Sequence, residues 1–263
     1  MRKLLLKLCI VFLFFVFTNS RAQTSFSHEV GVNLGIASFQ TDFGLSTEFE
    51  SANQANLSYG LSYYLKFFGS QYNWRSGSSF FSEHFKVRVD FSYTNNTNVN
   101  NDAIEGTGPN YDKLEAMKGQ IKLYNLGLGL EYYILKLEDY SSFYKTSGSI
   151  NPFISLGLGY SHSQPDILVN DVSLKGGGEP YDQLIDKWQT GAVHLDAENI
   201  FSGTAGAGVR FGLEMLDFSV EARYVYYFSD VVDGLDQPLD PANKGNDSMV
   251  LFNVGVIYVF GKY

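Results

Sequence analysis

The sequence predicts an all-β fold: an eight-stranded antiparallel β-barrel that crosses a membrane through its strands. The composition favours strands and turns, because 22 Phe, 18 Tyr and 26 Gly stand beside only 6 Pro among 263 residues. Apolar and polar residues alternate with period two in segments of about 11 to 13 residues. The polar positions of these segments hold mostly small residues, and several apolar rows begin or end in Tyr or Phe, as interfacial girdles require.

The first 22 residues form a predicted signal peptide. Arg2, Lys3 and Lys7 precede an apolar run over residues 8–17, and residues 20–22 (Ser-Arg-Ala) place small residues at the -3 and -1 positions of a cleavage site. We therefore divide the chain into a cleaved segment, residues 1–22, and a barrel domain, residues 23–263. The only cysteine, Cys9, lies in the cleaved segment, so the mature chain has no disulfide and no thiolate metal site.

The mature chain is acidic. Cleavage removes four of the 19 basic residues and no acid, so that 15 basic residues face 28 acidic ones and the net charge becomes −13. A protein of this charge repels polyanions, which excludes nucleic acid as a partner.

The predicted strands follow the signal peptide in order. The third is the clearest, because the odd-numbered residues 85–93 are all Phe, Val or Tyr, whereas the even-numbered residues 86–92 are Lys, Arg, Asp and Ser. The same reasoning gives strands over residues 28–39, 55–67, 83–93, 119–133, 150–161, 199–211, 217–228 and 249–260.

Two features distinguish a membrane barrel from a soluble sandwich, whose polar face meets water. Gly, Ser and Asn dominate the polar faces, as the narrow interior of a small closed barrel requires. The odd-numbered connections average about 24 residues and the even-numbered ones about 12, which is typical of long extracellular loops and short periplasmic turns. The sharpest turn is predicted at residues 212–216. We expect a bacterial outer-membrane protein with both termini in the periplasm.

The chain ends in a motif that resembles the terminal β-signal of outer-membrane proteins. In this motif a glycine, Gly255, is followed by aromatic residues at the third and fifth positions after it, Tyr258 and Phe260. The resemblance implies that the barrel-assembly machinery is a partner during biogenesis.

Further segments resemble a group of outer-membrane barrels from Bacteroidota-type envelopes. They are residues 28–32, 81–88, 114–119 and 151–153, with Asp-Gly-Leu at 233–235 and Asn-Asp at 246–247. The resemblance covers nearly all of the mature chain. It extends to the PorG-like small barrels of the type IX secretion system, which implies an outer-membrane anchor for periplasmic secretion-ring subunits.

The charged residues on the inward faces form a balanced set of four acids and four bases. They are Glu29, Lys86, Arg88, Asp90, Glu131, Arg210, Glu221 and Arg223. Because side chains just fill an eight-stranded barrel, we interpret this set as a structural network that closes the lumen. A gated path for ions or small solutes is the alternative.

We expect a non-enzymatic structural or accessory subunit, held in outer-membrane lipid and bound to an envelope protein, with no cofactor and no metal. The alternative is a lipid A-modifying enzyme with a Ser–His–acid site that faces the lipid. His162 beside Ser163 is the one candidate pair, but neighbouring strand residues point to opposite faces. The other histidines, His28, His84 and His194, lie at strand starts or in a loop.

The loops leave two further alternatives open. The last long loop carries Asp230, Asp233, Asp236, Asp240 and Asp247, which form either a solvated acidic loop or a Ca²⁺ site. Residues 111–118 and 181–188 are predicted to form short amphipathic helical turns that cap the barrel mouth or dock a partner.

Overall fold

A computed structural model describes residues 26–41, 56–67, 79–100, 108–137, 149–176, 183–185, 188, 191–213, 216–236 and 245–260. The predicted signal peptide lies outside these residues. The strands are β1 (Phe26–Gln40), β2 (Asn56–Phe67), β3 (Phe85–Asn100), β4 (Met117–Tyr133), β5 (Ser149–Val169), β6 (Val172–Ser173), β7 (Glu198–Gly212), β8 (Leu216–Tyr227) and β9 (Ser248–Val259). Two short helices are α1 (Phe80–His84) and α2 (Pro109–Glu115).

Eight of these strands close into an antiparallel barrel, which confirms the predicted fold class. Around the ring the order is β1, β2, β3, β4, β5, β7, β8 and β9, and β9 pairs with β1 to complete it. The remaining strand, β6, forms a small hairpin with the end of β5. We call the end of the barrel that holds Phe26 and Phe260 the terminal end, and the opposite end the loop end.

The polarity of the barrel is inverted relative to that of a soluble protein. Leu156 and Leu158 on β5 are 67% and 69% exposed, whereas Lys86 and Arg88 on β3 are 0% and 2% exposed. In water this arrangement would be unstable, because apolar surface would be solvated and charges buried. In a bilayer the outward leucines meet lipid, and closure satisfies the backbone hydrogen bonds. The fold is that of a membrane-spanning β-barrel.

Aromatic residues mark both edges of the apolar band. Near the loop end, Tyr59, Tyr93 and Tyr124 lie side by side on β2, β3 and β4. Eight residues further along the same strands, Phe67, Phe85 and Tyr132 form a second row near the terminal end. Eight residues span about 27 Å along a strand, or about 21 Å of membrane thickness at a tilt of about 40°. This height agrees with the apolar band of outer-membrane barrels, which is about 25 Å tall.

The predicted strands differ from the observed ones mainly where strands leave the membrane band. Residues 83 and 84, predicted as strand, belong to α1, and β3 continues past Tyr93 to Asn100. The strand predicted to end at residue 161 continues to Val169, so residues 162–169 are strand rather than loop. The helix predicted over residues 111–118 is observed at Pro109–Glu115. It ends earlier than predicted because Met117 and Lys118 already pair with β5.

Half of the other predicted helix, residues 181–188, lies outside the described residues. Within the described part of the chain, no helix is long and apolar enough to cross a bilayer.

Candidate functional site

The candidate site is the lumen, whose contents change in three steps from the terminal end to the loop end. A charged layer comes first and contains all eight charged residues that the sequence placed on inward faces. An apolar plug follows, made of Ala37, Phe39, Ile121, Leu123, Ile200, Val225, Tyr227, Val232, Met249 and Leu251. A cap core lies beyond the plug, made of Met117, Ile167, Val169, Leu174, Leu184, Trp188, Ala192 and Leu235.

The lower half of the charged layer is organised around Glu29 on β1. Lys86 donates to both carboxylate oxygens of Glu29, at 2.8 and 3.0 Å, and Arg210 donates to Glu29 Oε2 from across the barrel. Arg210 also donates through Nε to Asp217 Oδ2 at 2.9 Å. Two bases thus share Glu29, and a second acid completes the neutralisation of Arg210.

The upper half is organised around Arg88 on β3. Its Nη1 donates to Glu131 Oε1 at 2.6 Å and to Glu221 Oε1 at 3.1 Å. Arg223 donates to Glu221 Oε2 at 2.7 Å and lies 3.4 Å from Asp90 Oδ1. The network therefore ties β3 to β4 beside it and to β8 on the opposite wall.

A tyrosine links the two halves. Tyr133 donates through its hydroxyl to Glu131 Oε2 at 2.6 Å and accepts from Arg210 Nη1 at 3.3 Å. A continuous chain of ion pairs and hydrogen bonds thus runs from Asp217 to Asp90.

Two charged residues of this layer were absent from the predicted set. Asp217 contacts Arg210, and Lys66 on β2 donates to the backbone oxygen of Leu137 at 3.3 Å, below the barrel. With them, the described part of the charged layer holds five acids and five bases. Strand alternation places Asp217 and Lys66 on inward faces. Both lie at strand ends, however, and there the sequence pattern alone does not distinguish a charge inside the barrel from a charge that reaches water.

Glycines create the space that the long charged side chains occupy. A Cβ on Gly127 of β4 would lie 2.8 Å from Asp90 Oδ2, and a Cβ on Gly206 of β7 would lie 2.9 Å from Glu221 Oε1. Such distances are shorter than packed side chains tolerate. The glycines on the inward faces of the strands therefore leave room for the long charged side chains of the neighbouring strands.

A small polar cavity separates the charged layer from the apolar plug. Its volume is about 30 Å³, and its lining includes Asp90, Arg223, Ser92, Asn125 and Thr204, with Met249 and Leu251 on the plug side. A cavity of this size, with these polar groups on its wall, has room for one or two water molecules. Buried side chains of the charged layer and of the apolar plug lie on its two sides, so the described part of the lumen is closed.

The plug and the cap core are held together by the last long loop. Ser163 on β5 donates to the backbone oxygen of Val232 at 2.8 Å, which fixes this loop over the lumen. Asp247 accepts from the backbone N–H of Val232, and Asp233 accepts from that of Leu235, each at 2.8 Å. Both aspartates are buried and bind the backbone, so they are not part of an open acidic surface.

The other predicted ligands of this loop do not converge in the described part of the chain. Asp240 lies outside the described residues. Among the described residues, no three His, Cys, Asp or Glu side chains gather as a metal site would require.

The candidate catalytic pair is separated by the barrel wall, as the alternation predicted. Ser163 is buried and bound to Val232, whereas His162 lies on the outer face near Tyr124. The two ring nitrogens of His162 contact Asn199 Oδ1 at 2.9 Å and Gln164 Nε2 at 3.2 Å. These amide contacts supply neither a nucleophile nor a carboxylate to this imidazole.

The predicted assembly signal lies on the last strand of the closed barrel. Gly255 is buried and faces inward, opposite Asn33 of β1. Tyr258 and Phe260 face outward at the terminal end, with ring centroids 5.0 Å apart. The backbone N–H of Phe260 donates to the oxygen of His28, so the motif lies at the seam where the ring closes.

By its fold and its closed lumen, the protein belongs to the class of small membrane-spanning β-barrels. No protein-family model and no curated protein matches the sequence.

Among solved structures, Neisserial surface protein A matches with 10% identity over 89% of this chain and 98% of its own, at a TM-score of 0.43. Ail of Yersinia pestis matches with 13% identity over 90% and 99% of the two chains, at 0.43. The outer membrane enzyme PagL matches with 13% identity over 87% and 98%, at 0.35.

Proposed function

We propose that this protein resides in the bacterial outer membrane, with the terminal end in the periplasm and the loop end outside the cell. The signal-peptide pattern and the outward apolar band support this location, and the long connections at the loop end support the orientation. A tag inserted before Gly245, where no atom of the described residues lies within 4 Å of an added Cβ, tests the orientation. Antibody labelling of the tag on intact cells is expected, and labelling only after permeabilisation would reverse the assignment.

The protein serves in this membrane as an anchor or accessory subunit of an envelope protein assembly. The observation that carries this proposal is the cap core, a second apolar cluster built from the extended ends of β4 and β5 and the loops above them. A barrel that only fills the membrane needs no such structure. A closed lumen leaves the surfaces beyond the band as the parts that meet other proteins.

The experiment is a pull-down from native membranes in mild detergent with the tag before Gly245, read by protein mass spectrometry. Stoichiometric envelope proteins are expected in the eluate. A partner of the cap core would reach the barrel from outside the cell, whereas the periplasmic subunits of the type IX secretion ring, which the resemblance to PorG-like barrels suggests, would bind the terminal end. Trp188→Ala, which opens a cavity in the cap core, is expected to weaken recovery of a partner that binds the cap. Leu158→Ala, on the lipid face, is the matched control.

Recovery of the wild-type barrel alone would reject the accessory role. Equal recovery by Trp188→Ala and Leu158→Ala would place the partner away from the cap.

The assignment as a non-enzymatic protein is tested separately. The surroundings of His162 support it, because its partners are amides rather than a nucleophile and an acid. Deletion of the gene and the variant His162→Ala are both expected to leave the mass spectrum of lipid A unchanged. A changed acylation pattern in both strains would make the barrel an enzyme.

A further inference from the structure

The helix α1 (Phe80–His84) lies at the terminal end and exposes two aromatic side chains. Ser79 caps this single turn, since its hydroxyl accepts from the backbone N–H of Ser82 at 3.2 Å. Phe80 is 63% exposed and Phe81 is 43% exposed. Large apolar side chains in such positions indicate contact with something other than water.

The two rings pack on the outside of the barrel wall. Phe81 stacks on Phe85 with ring centroids 4.9 Å apart and lies 5.3 Å from Phe67. Phe80 lies 6.2 Å from Phe85 and 6.3 Å from Tyr132. Because Phe67, Phe85 and Tyr132 form the outward aromatic row of the terminal end, α1 adds a second aromatic layer to that row over β2, β3 and β4.

Polar contacts between α1 and the end of β4 with the residues that follow it hold this orientation. His84 is buried, and its Nδ1 lies 2.7 Å from the backbone oxygen of Tyr133. The backbone N–H of Leu137 donates to the oxygen of Glu83 at 2.7 Å, and Lys136 pairs with the Glu83 carboxylate at 2.8 Å. The helix is thus fixed to the neighbouring turn, and its aromatic residues cannot rotate inward.

We propose that α1 is a membrane foot, with Phe80 and Phe81 inserted at the headgroup–acyl boundary of the leaflet at the terminal end. Three observations select lipid as the occupant. The exposed rings continue the aromatic row that already borders the bilayer. They are aromatic, which is the residue type that favours this boundary. The charged pair of Glu83 and Lys136 lies beside them, with Lys136 70% exposed, where the headgroups meet water. The foot sets the depth of the barrel on this flank.

Spin labels on single cysteines test the foot. Cys9 is the only cysteine of the chain, so the full chain with Cys9→Ser accepts one label at Phe80→Cys after refolding into phosphatidylcholine vesicles. Leu158→Cys is the lipid-facing control and Lys136→Cys the aqueous control. The ratio of oxygen accessibility to water-soluble nickel-chelate accessibility at position 80 is expected to exceed that at Lys136 and to fall below that at Leu158, as the headgroup–acyl boundary requires. Phe81→Cys provides an independent position, and heat-modifiable mobility in gels verifies folding of every variant.

Two outcomes would overturn the proposal. A ratio at positions 80 and 81 like that at Lys136 would place the foot in water. Protection of both positions from oxygen and nickel alike would indicate contact between copies of the barrel instead of lipid.

Discussion

Asn33 on β1 occupies the space above Gly255 on β9, its partner across the seam that closes the barrel. A Cβ on Gly255 would collide with Asn33 Oδ1 and would lie 2.6 Å from Ser219 Oγ. The next inward pair reverses the arrangement, because Gly35 lies opposite Asn253, whose amide fills the space above Gly35. A shift of the seam by two residues would place Asn33 opposite Asn253 and leave glycine opposite glycine. The alternating pairs therefore specify the register of closure.

The seam pairs predict a substitution and its rescue. Gly35→Ala is expected to lower the free energy of unfolding by about 1–3 kcal/mol, because the added methyl group displaces the Asn253 amide. The double variant Gly35→Ala with Asn253→Ala is expected to recover part of this loss, since the smaller side chain frees the space. Urea titrations in lipid vesicles measure both effects. The control is Gly203→Ala, whose new methyl group would meet only Phe228, at 3.6 Å. An equal loss in the control would refute the role of the seam.

The charged layer predicts a large effect at Glu29. Glu29→Gln removes the negative charge that Lys86 and Arg210 share, and both bases stay buried. We expect a loss of about 3–5 kcal/mol in the free energy of unfolding. Adding Lys86→Met to this variant removes the excess base and should restore a large part of the stability. The comparison is Lys136→Ala, which breaks an exposed ion pair with Glu83 and should cost less than about 1 kcal/mol. Losses of similar size at Glu29 and Lys136 would contradict a buried, coupled network.

The two obstructions in the lumen predict the electrical behaviour. The wild-type protein in planar bilayers is expected to show no steady conductance, because the charged layer and the apolar plug each fill the cross-section. Met249→Ala thins the plug but leaves Arg88 and Arg223 with their carboxylates, so it should also remain silent. Steady openings of the wild type would favour the gated-channel alternative.

The last long loop predicts a local effect of Asp247. Asp247→Ala leaves the buried N–H of Val232 without its acceptor, which costs about 1–3 kcal/mol of local stability. Hydrogen exchange is expected to accelerate over residues 231–236 and to remain unchanged in the membrane band. Removal of Ca²⁺ by a chelator should not reproduce this acceleration, because the carboxylate binds backbone rather than metal. An equal acceleration by the chelator would assign the loop to a calcium site.

The sequence was sufficient for the strands wherever lipid imposes a pattern. Strand β1 was predicted over residues 28–39 and extends over Phe26–Gln40, because its outward positions from Val30 to Ile36 are all apolar. Alternation disappears after Tyr93, which belongs to the aromatic row at the loop-end edge of the apolar band. Backbone pairing with β4 nevertheless continues to Asn100. The ends of β3 and β5 were therefore not predicted, because alternation of apolar and polar residues marks only the part of a strand that meets lipid.

The same limit applies to the candidate site. Alternation identified the inward charges but could not pair them, since Arg210 and Glu29 are 181 residues apart. Nor could it anticipate the apolar plug, because Ile121 and Leu123 have the residue type expected of a lipid face and lie on the inner one. The tertiary fold decides between the two faces there.

The β4–β5 pairing gives the molecule a tall flank on one side. It continues from His162 to Val169 and ends at the tight turn of Asn170 and Asp171, both with positive φ. Seven residues of strand span about 23 Å, or about 18 Å of height at a tilt of about 40°. This hairpin tip stands well clear of the lipid in the proposed orientation. Within the described part of the chain, it therefore offers an antibody or a bacteriophage a surface that is clear of the membrane on an intact cell.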